Sequence, residues 1–360
     1  MKKKMLAVTL AGMMVMGLAA CGSGQSGTSG SSAAASSQAP SAETAAADAQ
    51  STSEAAATES AAQTSGKKFK VGVCQLVQHE ALDAATQGFE DTLKKEYGDN
   101  VEIDVQNAQG DSATCATIVN GFVSNQYDLI LANATPALQA AQAATTTIPI
   151  LGTSITDYGT ALGVSNFSGT SGTNISGTSD LAPLDQQEDM ILELVPNVKK
   201  VAILYCSSEA NSKFQAEKIE GYLKEDGVDY EEFTFSDSND LSSVVNSAVN
   251  GVDAMYIPTD NTAASNMPII TQVTGAAKLP VICGEENMCA QGGLATLSIS
   301  YYDLGAETGK QAIDILSNGA DVSTMQIEYA SATTKEYNKK YADSIGVTVP
   351  DDYKVIDGTD

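Results

Sequence analysis

The sequence has no arginine, no tryptophan and a single histidine, His79. Its 19 basic residues are all lysines, and they face 45 acids, for a formal net charge of −26. Each shortage excludes something. Without arginine there is no guanidinium to read guanine or fork onto phosphate, and a chain this acidic is repelled by phosphate backbones. Nucleic acid is therefore not an expected partner. One histidine cannot build a His-rich metal site, and a Ser-His-Asp or Cys-His mechanism would have to run through His79. No Cys/His cluster accompanies His79, so no metal is expected there. The Gly-rich stretch 168–177 lacks the Gly-Lys-Ser/Thr end of a phosphate-binding P-loop and reads as a flexible approach to a hinge. The expected cofactor list is empty.

Long apolar runs are also scarce. The run at 5–18 follows Lys2, Lys3 and Lys4, contains two glycines, and is too short to span a bilayer as a helix. It ends in Leu18-Ala19-Ala20-Cys21, which resembles the lipobox of bacterial lipoproteins. That resemblance implies a signal peptide over 1–20 and a lipidated Cys21 anchored to the cell membrane, outside the cytoplasm. Residues 22–66 are almost entirely Ser, Ala, Gly, Thr and Gln. Such a segment buries too little apolar surface to offset its ordering entropy, so 21–66 reads as a disordered tether. As a flexible coil it would span roughly 35–40 Å. Only four of the 45 acids lie there, so the acidity belongs to the body. The other cysteines are Cys74, Cys115, Cys206, Cys283 and Cys289. Their odd number cannot complete a disulfide framework and favours buried thiols, with Cys283 and Cys289 the pair to check for a bridge.

At 360 residues the chain exceeds what one core organises. From 70 onward, short apolar runs alternate with helical periodicity. Strands are expected at 70–76, 101–105, 128–132, 148–151 and 162–164, with helices carrying Leu82, Ala85, Phe89 and Leu93, then Ile118, Val119, Phe122 and Val123, and one opening at Pro136. The pattern restarts at 200–206 and repeats at an offset of about 130 residues: Val71 answers Val201 and Leu93 answers Leu223. A further strand over 294–300, a helix from Tyr301 and a last strand at 325–329 follow. This alternation predicts an α/β fold of two doubly wound parallel-sheet lobes facing each other across a cleft. A chain that returns after its second lobe implies a hinge of about three crossings. The expected division is 67–181 plus 296–322 for the first lobe, and 182–295 plus 323–360 for the second.

Ligands of open parallel sheets bind beyond the carboxyl ends of the strands, so the residues that follow each strand are the candidates. The expected ligand contacts are Gln75, Leu76, His79, Asp83, Thr135 and Asp157 in the first lobe. Ser207, Ser208, Asn211, Asp260 and Glu285 serve in the second, with Tyr302 and Asp303 on the returning helix. Loop and N-cap chemistry accounts for many of the same residues.

Lipobox, tether and two α/β lobes together resemble a substrate-binding lipoprotein of an ABC importer, with the type I periplasmic-binding-protein fold. Gln75-x-x-x-His79-x-x-Leu82-Asp83, Gly177-Thr178-Ser179-Asp180, Tyr301-Tyr302-Asp303-Leu304-Gly305 and the Gly346-to-Pro350 ending are similar to the ABC substrate-binding family with tryptophan- and tyrosine-type members. His79-Glu80 stands where most members carry His-Pro. The resemblance implies no enzyme. It implies a monomer that closes on a small solute, an aromatic amino acid being favoured, and presents it to a membrane permease. Without arginine, a ligand carboxylate must rely on backbone N–H groups and on hydroxyls such as Thr135, Ser207 and Ser208. An ammonium would want Asp157, Asp260, Glu285 or Asp303. Two other classes stay open at this point: a sensor of the same fold signalling to a membrane receptor, and an exported hydrolase working through Asp157 and Asp260.

Overall fold

The structure, a computed structural model, describes residues 68–357. The expected signal peptide, Cys21 and tether lie outside the described residues. Apolar runs become parallel strands because crossover helices cover both faces of the sheet, leaving no solvent face to demand alternation. In the first lobe β1 (Phe69–Gln75), β2 (Val101–Asn107), β3 (Leu129–Asn133), β4 (Ile150–Ile155) and β5 (Ile175–Ser179) alternate with α1 (Glu80–Tyr97), α2 (Ser112–Ser124), α3 (Thr135–Ala144) and α4 (Tyr158–Leu162). The second lobe continues with α5 (Leu184–Leu194), β6 (Lys200–Cys206), α6 (Ala210–Glu225), β7 (Asp229–Phe235), α7 (Ser238–Ala248) and β8 (Ala254–Ile257). It is completed by α8 (Asn261–Ala264), α9 (Met267–Ala277), β9 (Val281–Cys283), α10 (Glu286–Ala290) and β10 (Ala295–Ser298). The chain ends with α11 (Tyr301–Asn318), β11 (Glu328–Tyr329), β12 (Thr334–Tyr337), α12 (Lys339–Ile345) and β13 (Lys354–Val355).

The first sheet runs β11-β5-β4-β3-β1-β2 and the second β13-β12-β10-β9-β8-β6-β7. Their inner strands repeat one doubly wound order, β2-β1-β3-β4-β5 answered by β7-β6-β8-β9-β10. Among the described residues only the β10–β12 pairing is antiparallel. The chain passes between lobes three times, at 180–183, 299–300 and 330–333. The expected returns at 296 and 323 are displaced for a simple reason: a chain leaves a lobe only after its strand has paired. β10 pairs with β9 at Ala295 and Thr296 and with β12 through Ser298, and β11 rejoins the first sheet beside β5.

The strand expected at 162–164 is not formed. Leu162 ends α4, and Gly163 caps it in the left-handed region at φ 67°. The fifth strand is β5, whose Ile175, Ser176 and Gly177 end the stretch read as a flexible approach. Its Gly177, at φ 138°, leaves no room for a Cβ against the Gly152 backbone, and the Tyr158 hydroxyl donates to the Gly152 and Thr178 carbonyls at 3.1 and 3.2 Å. A second close approach joins α1 to α11, where Gly88 and Gly305 bring one helix backbone onto the other. That seam ties α11, which follows the second crossing, rigidly to the first lobe. Cys74, Cys115, Cys206, Cys283 and Cys289 are all buried free thiols, so Cys283 and Cys289 are not bridged.

Candidate functional site

The carboxyl ends of the two sheets meet around a small enclosed cavity. His79, Leu82, Ser154 and Thr156 line it from the first lobe, and Asn211, Thr259, Asp260, Asn261, Ala264 and Glu285 from the second. Asp180, from the first crossing, and Tyr301, the first residue of α11 just after the second, complete the wall. Local structure explains the placement. Each sheet delivers its strand ends to the cleft, and the helix that follows starts there.

The second-lobe wall is fixed by caps. Asp260 caps α8 by accepting from the Ala263 N–H at 2.7 Å, and its other oxygen accepts from the Cys206 N–H at 2.7 Å. Glu285 caps α10 through the Asn287 and Met288 N–H groups at 2.8 and 2.6 Å. Glu209 accepts from both the backbone and side chain of Asn261 and of Thr262, at 2.7 to 3.0 Å. It thereby orients Asn261, whose Oδ1 lies 3.2 Å from His79 Nε2 across the cleft. Because Asn261 Nδ2 is committed to Glu209, its Oδ1 must be the acceptor, and His79 is the Nε2–H tautomer.

Burial dominates the electrostatics. No lysine lines the cavity. Asp180 is pushed up to about 6 by burial, against the hydrogen bond from the Tyr301 hydroxyl. Glu285 rises to about 7 by burial, opposed by its two backbone donors. Asp260 rises to about 8 by burial and by the charge of Glu209. Burial lowers His79, which favours the neutral ring.

Four buried polar atoms of the wall have no partner: His79 Nδ1, Ser154 Oγ, Asp180 Oδ1 and Asn211 Oδ1. Three are acceptors. His79 Nδ1 is the bare nitrogen of its tautomer, Asp180 Oδ2 already accepts from the Tyr301 hydroxyl at 3.0 Å, and Asn211 spends its amide N–H groups on Glu209 and the Thr259 carbonyl. Ser154 sits in the left-handed region at φ 56°, a conformation that costs a non-glycine residue about 1–2 kcal/mol.

Of the expected contacts, His79, Asn211, Asp260 and Glu285 line the cavity. Gln75 and Asp83 stand behind it: Gln75 Nε2 donates to Asp83 Oδ1 at 2.6 Å, and its Oε1 accepts from Thr86. Leu76 packs in the first-lobe core, and Thr135 is buried at the start of α3 away from the cavity wall. Asp157 caps α4 on an outer groove. Asp157 and Asp260 therefore do not share a site, which removes the basis of the paired-carboxylate hydrolase. Ser207 and Ser208 are exposed, with Ser207 Oγ donating to the Phe235 carbonyl. Tyr302 and Asp303 face the hinge side, where the Tyr302 hydroxyl donates to Asp91 at 3.1 Å. Thr156, Asp180 and Tyr301 were not among the expected contacts. Asp180 and Tyr301 did stand inside the quoted motifs, Asp180 in the first crossing and Tyr301 directly after the second, and the crossings border the cleft.

Two doubly wound lobes, three crossings and a cleft wall with unpartnered polar atoms define a hinged receptor for a small solute. A family model described as ABC transporter substrate binding protein matches residues 70–357, and the chain belongs to that family. It is an extracytoplasmic solute-binding family, not a family of enzymes. The chain is 40% identical over 258 residues to a tyrosine-binding protein of Clostridioides difficile, covering 71% of this chain and 74% of that one. An ABC domain in complex with L-Trp from Streptococcus pneumoniae is 35% identical, with TM-score 0.77 over 81% of this chain and 100% of that one. A ligand-free, open substrate-binding protein with adhesive properties from Clostridium difficile is 37% identical, with TM-score 0.62 over 80% of this chain and 99% of that one.

Proposed function

We propose that the cleft binds a free α-amino acid, with tryptophan and tyrosine the favoured ligands, and that the protein delivers it to an ABC permease. The observation that carries this reading is the set of unpartnered acceptors, His79 Nδ1, Asp180 Oδ1 and Asn211 Oδ1, around a cavity without a lysine. An ammonium group offers three N–H donors and a positive charge, matching three acceptors among raised carboxyls. The carboxylate has no arginine to meet. Backbone N–H groups of the first turn of α1, whose N-cap His79 makes no side-chain cap, and the Ser154 hydroxyl supply donors. The relatives' tyrosine and L-Trp favour an aromatic side chain. Lipidation at Cys21 would hold a monomeric receptor at the membrane, and the sequence pattern Leu18-Ala19-Ala20-Cys21 supports it.

The chain's lack of tryptophan supplies the test. Indole excitation reports bound tryptophan against a protein background that is dark at that wavelength. Titration should give a saturable emission change that tyrosine reverses. N-acetyltryptophan, which has no ammonium, should neither bind at those concentrations nor raise the melting temperature. Equal binding of N-acetyltryptophan would remove the ammonium reading, and no response to any aromatic amino acid would remove the ligand class.

A further inference from the structure

On the hinge side, away from the cleft, runs a groove of about 840 Å³ walled by both lobes. The first lobe contributes the start of α11 and strand β11, and the second contributes Glu286 at the start of α10, Ser298 and strand β12. The groove borders the last two crossings, at 299–300 and 330–333. We propose that it is a second binding site, for a linear polyamine that bridges the two lobes.

The wall carries Glu286, Asp303, Glu307, Glu328 and Glu336 against one lysine, Lys310, which is itself paired with Glu307. Such a cluster alone would be a solvated acidic surface. Glu336 is different. It is 5% exposed; Oε1 accepts from Lys354 at 3.1 Å, but Oε2 is buried with no partner. A buried carboxylate oxygen without a donor is costly, and a charged N–H donor is the strongest remedy. Near it Glu286, which accepts from the Ser298 hydroxyl at 3.0 Å, is held above the usual carboxyl range by burial and then by the charge of Glu336. Lys354 offsets part of both charges, pairing with Glu336 Oε1 and lying near Glu286, and leaves Glu336 Oε2 for a further charged donor.

The distribution of acids selects the kind of cation. No group of three or more His, Cys, Asp or Glu among the described residues is gathered closely enough to hold a metal ion. Carboxylates spread over two walls suit separated charges on one chain instead. Tyr302 and Tyr329, 43% and 59% exposed, offer aromatic faces to the intervening methylenes and to the ammonium groups. Glu307 and Glu328 engage one end from the first lobe while Glu286 and Glu336 engage the other from the second. A cation so held contacts both lobes at once, so its affinity depends on the hinge angle.

Spermidine is the probe, titrated calorimetrically into the folded chain at fixed ionic strength, with and without saturating tryptophan. Saturable one-site binding is expected in both conditions. Glu336→Gln and Glu286→Gln should each weaken it about tenfold, while Glu225→Gln, on the exposed end of α6, leaves it unchanged. Should Glu336→Gln fail to fold, Glu286→Gln gives the same reading. Non-saturating binding, equal binding of Mg²⁺, indifference to both groove variants, or loss of binding on adding tryptophan while the groove variants bind normally would each overturn the site. So would binding of a lysine-rich peptide with none of spermidine.

Discussion

Asp180 shows how a single side chain can be costly to the fold and necessary to the ligand. It is buried at the first crossing, one oxygen accepts from Tyr301, and the other has no partner. Asp180→Asn removes the charge while keeping the shape. Hydrogen bonds to charged groups are worth about 1.5–3 kcal/mol, so amino-acid affinity should fall about ten- to hundredfold, read by indole fluorescence. Melting of the ligand-free variant should be unchanged or higher, because a buried charge has gone. The raised carboxyls also set a pH dependence. For Asp180, Glu285 and Asp260 the folded protein holds the proton more tightly than the unfolded chain. Their stabilising contribution is complete below the ordinary carboxyl value of about 4 and is lost as pH rises through about 6, 7 and 8 in turn. His79 is depressed and acts in the opposite sense, its contribution being lost as pH falls. The two are best separated above the ordinary histidine value of about 6.5. There the melting temperature of the ligand-free protein should fall with pH, and the rise produced by tryptophan should grow. A melting curve flat from pH 6.5 to 8.5 would contradict the buried carboxyls.

At the scale of elements, the α1–α11 seam joins the returning chain to the first lobe. A Cβ at Gly305 collides with the Ala85 carbonyl oxygen, and one at Gly88 with the Tyr302 carbonyl oxygen. Gly305→Ala should destabilise by about 1–3 kcal/mol, seen as a lower urea midpoint with an unchanged slope. Gly221, on α6 with open space around it, supplies the contrast: Gly221→Ala should stabilise by about 0.5–1 kcal/mol. Elements of this kind differ in how far the sequence reveals them. Parallel strands such as β1 and β6 are legible because burial on both faces demands unbroken apolar runs. β5, Ile-Ser-Gly-Thr-Ser, is as deeply buried but satisfies itself with hydroxyl pairs, Thr178 with Thr308 and Ser179 with the Thr156 carbonyl, so no apolar period marks it. The site follows the same rule. Strand-end carboxylates are legible as caps, whereas helix rotation decides which of two neighbours faces the cleft. Tyr301 turns inward to Asp180, and Tyr302, one residue later, turns outward to Asp91. Likewise Asn211 reaches the cavity while Ser207 and Ser208, a turn earlier, stay at the surface.

For the whole molecule, the decisive quantity is the angle between lobes. The cavity holds about 10 Å³, room for about one water-sized group and far too little for an amino acid. At near-equal identity, the chain fits the L-Trp complex at TM-score 0.77 but the ligand-free, open relative at 0.62. Within this structure, the small cavity and the His79–Asn261 bond across the cleft show the lobes closed on each other. A ligand that touches both lobes can enter only from an open state and stabilises closure by its differential contacts. In solution the ligand-free protein should scatter X-rays with a larger radius of gyration than this closed form, and tryptophan should contract it. The latch between lobes includes the His79–Asn261 bond. Asn261→Ala removes it while Glu209 keeps its bonds to the residue-261 and Thr262 N–H groups, the Thr262 hydroxyl and Asn211, and Asp260 still caps α8. Losing one hydrogen bond of about 0.5–1.5 kcal/mol from the closed state alone should speed tryptophan release about two- to tenfold. Association should change little, because the encounter happens with the lobes apart. Stopped-flow fluorescence separates the two rates. A variant that slowed association and left release untouched would mean that ligand first meets a closed protein, against the hinge mechanism.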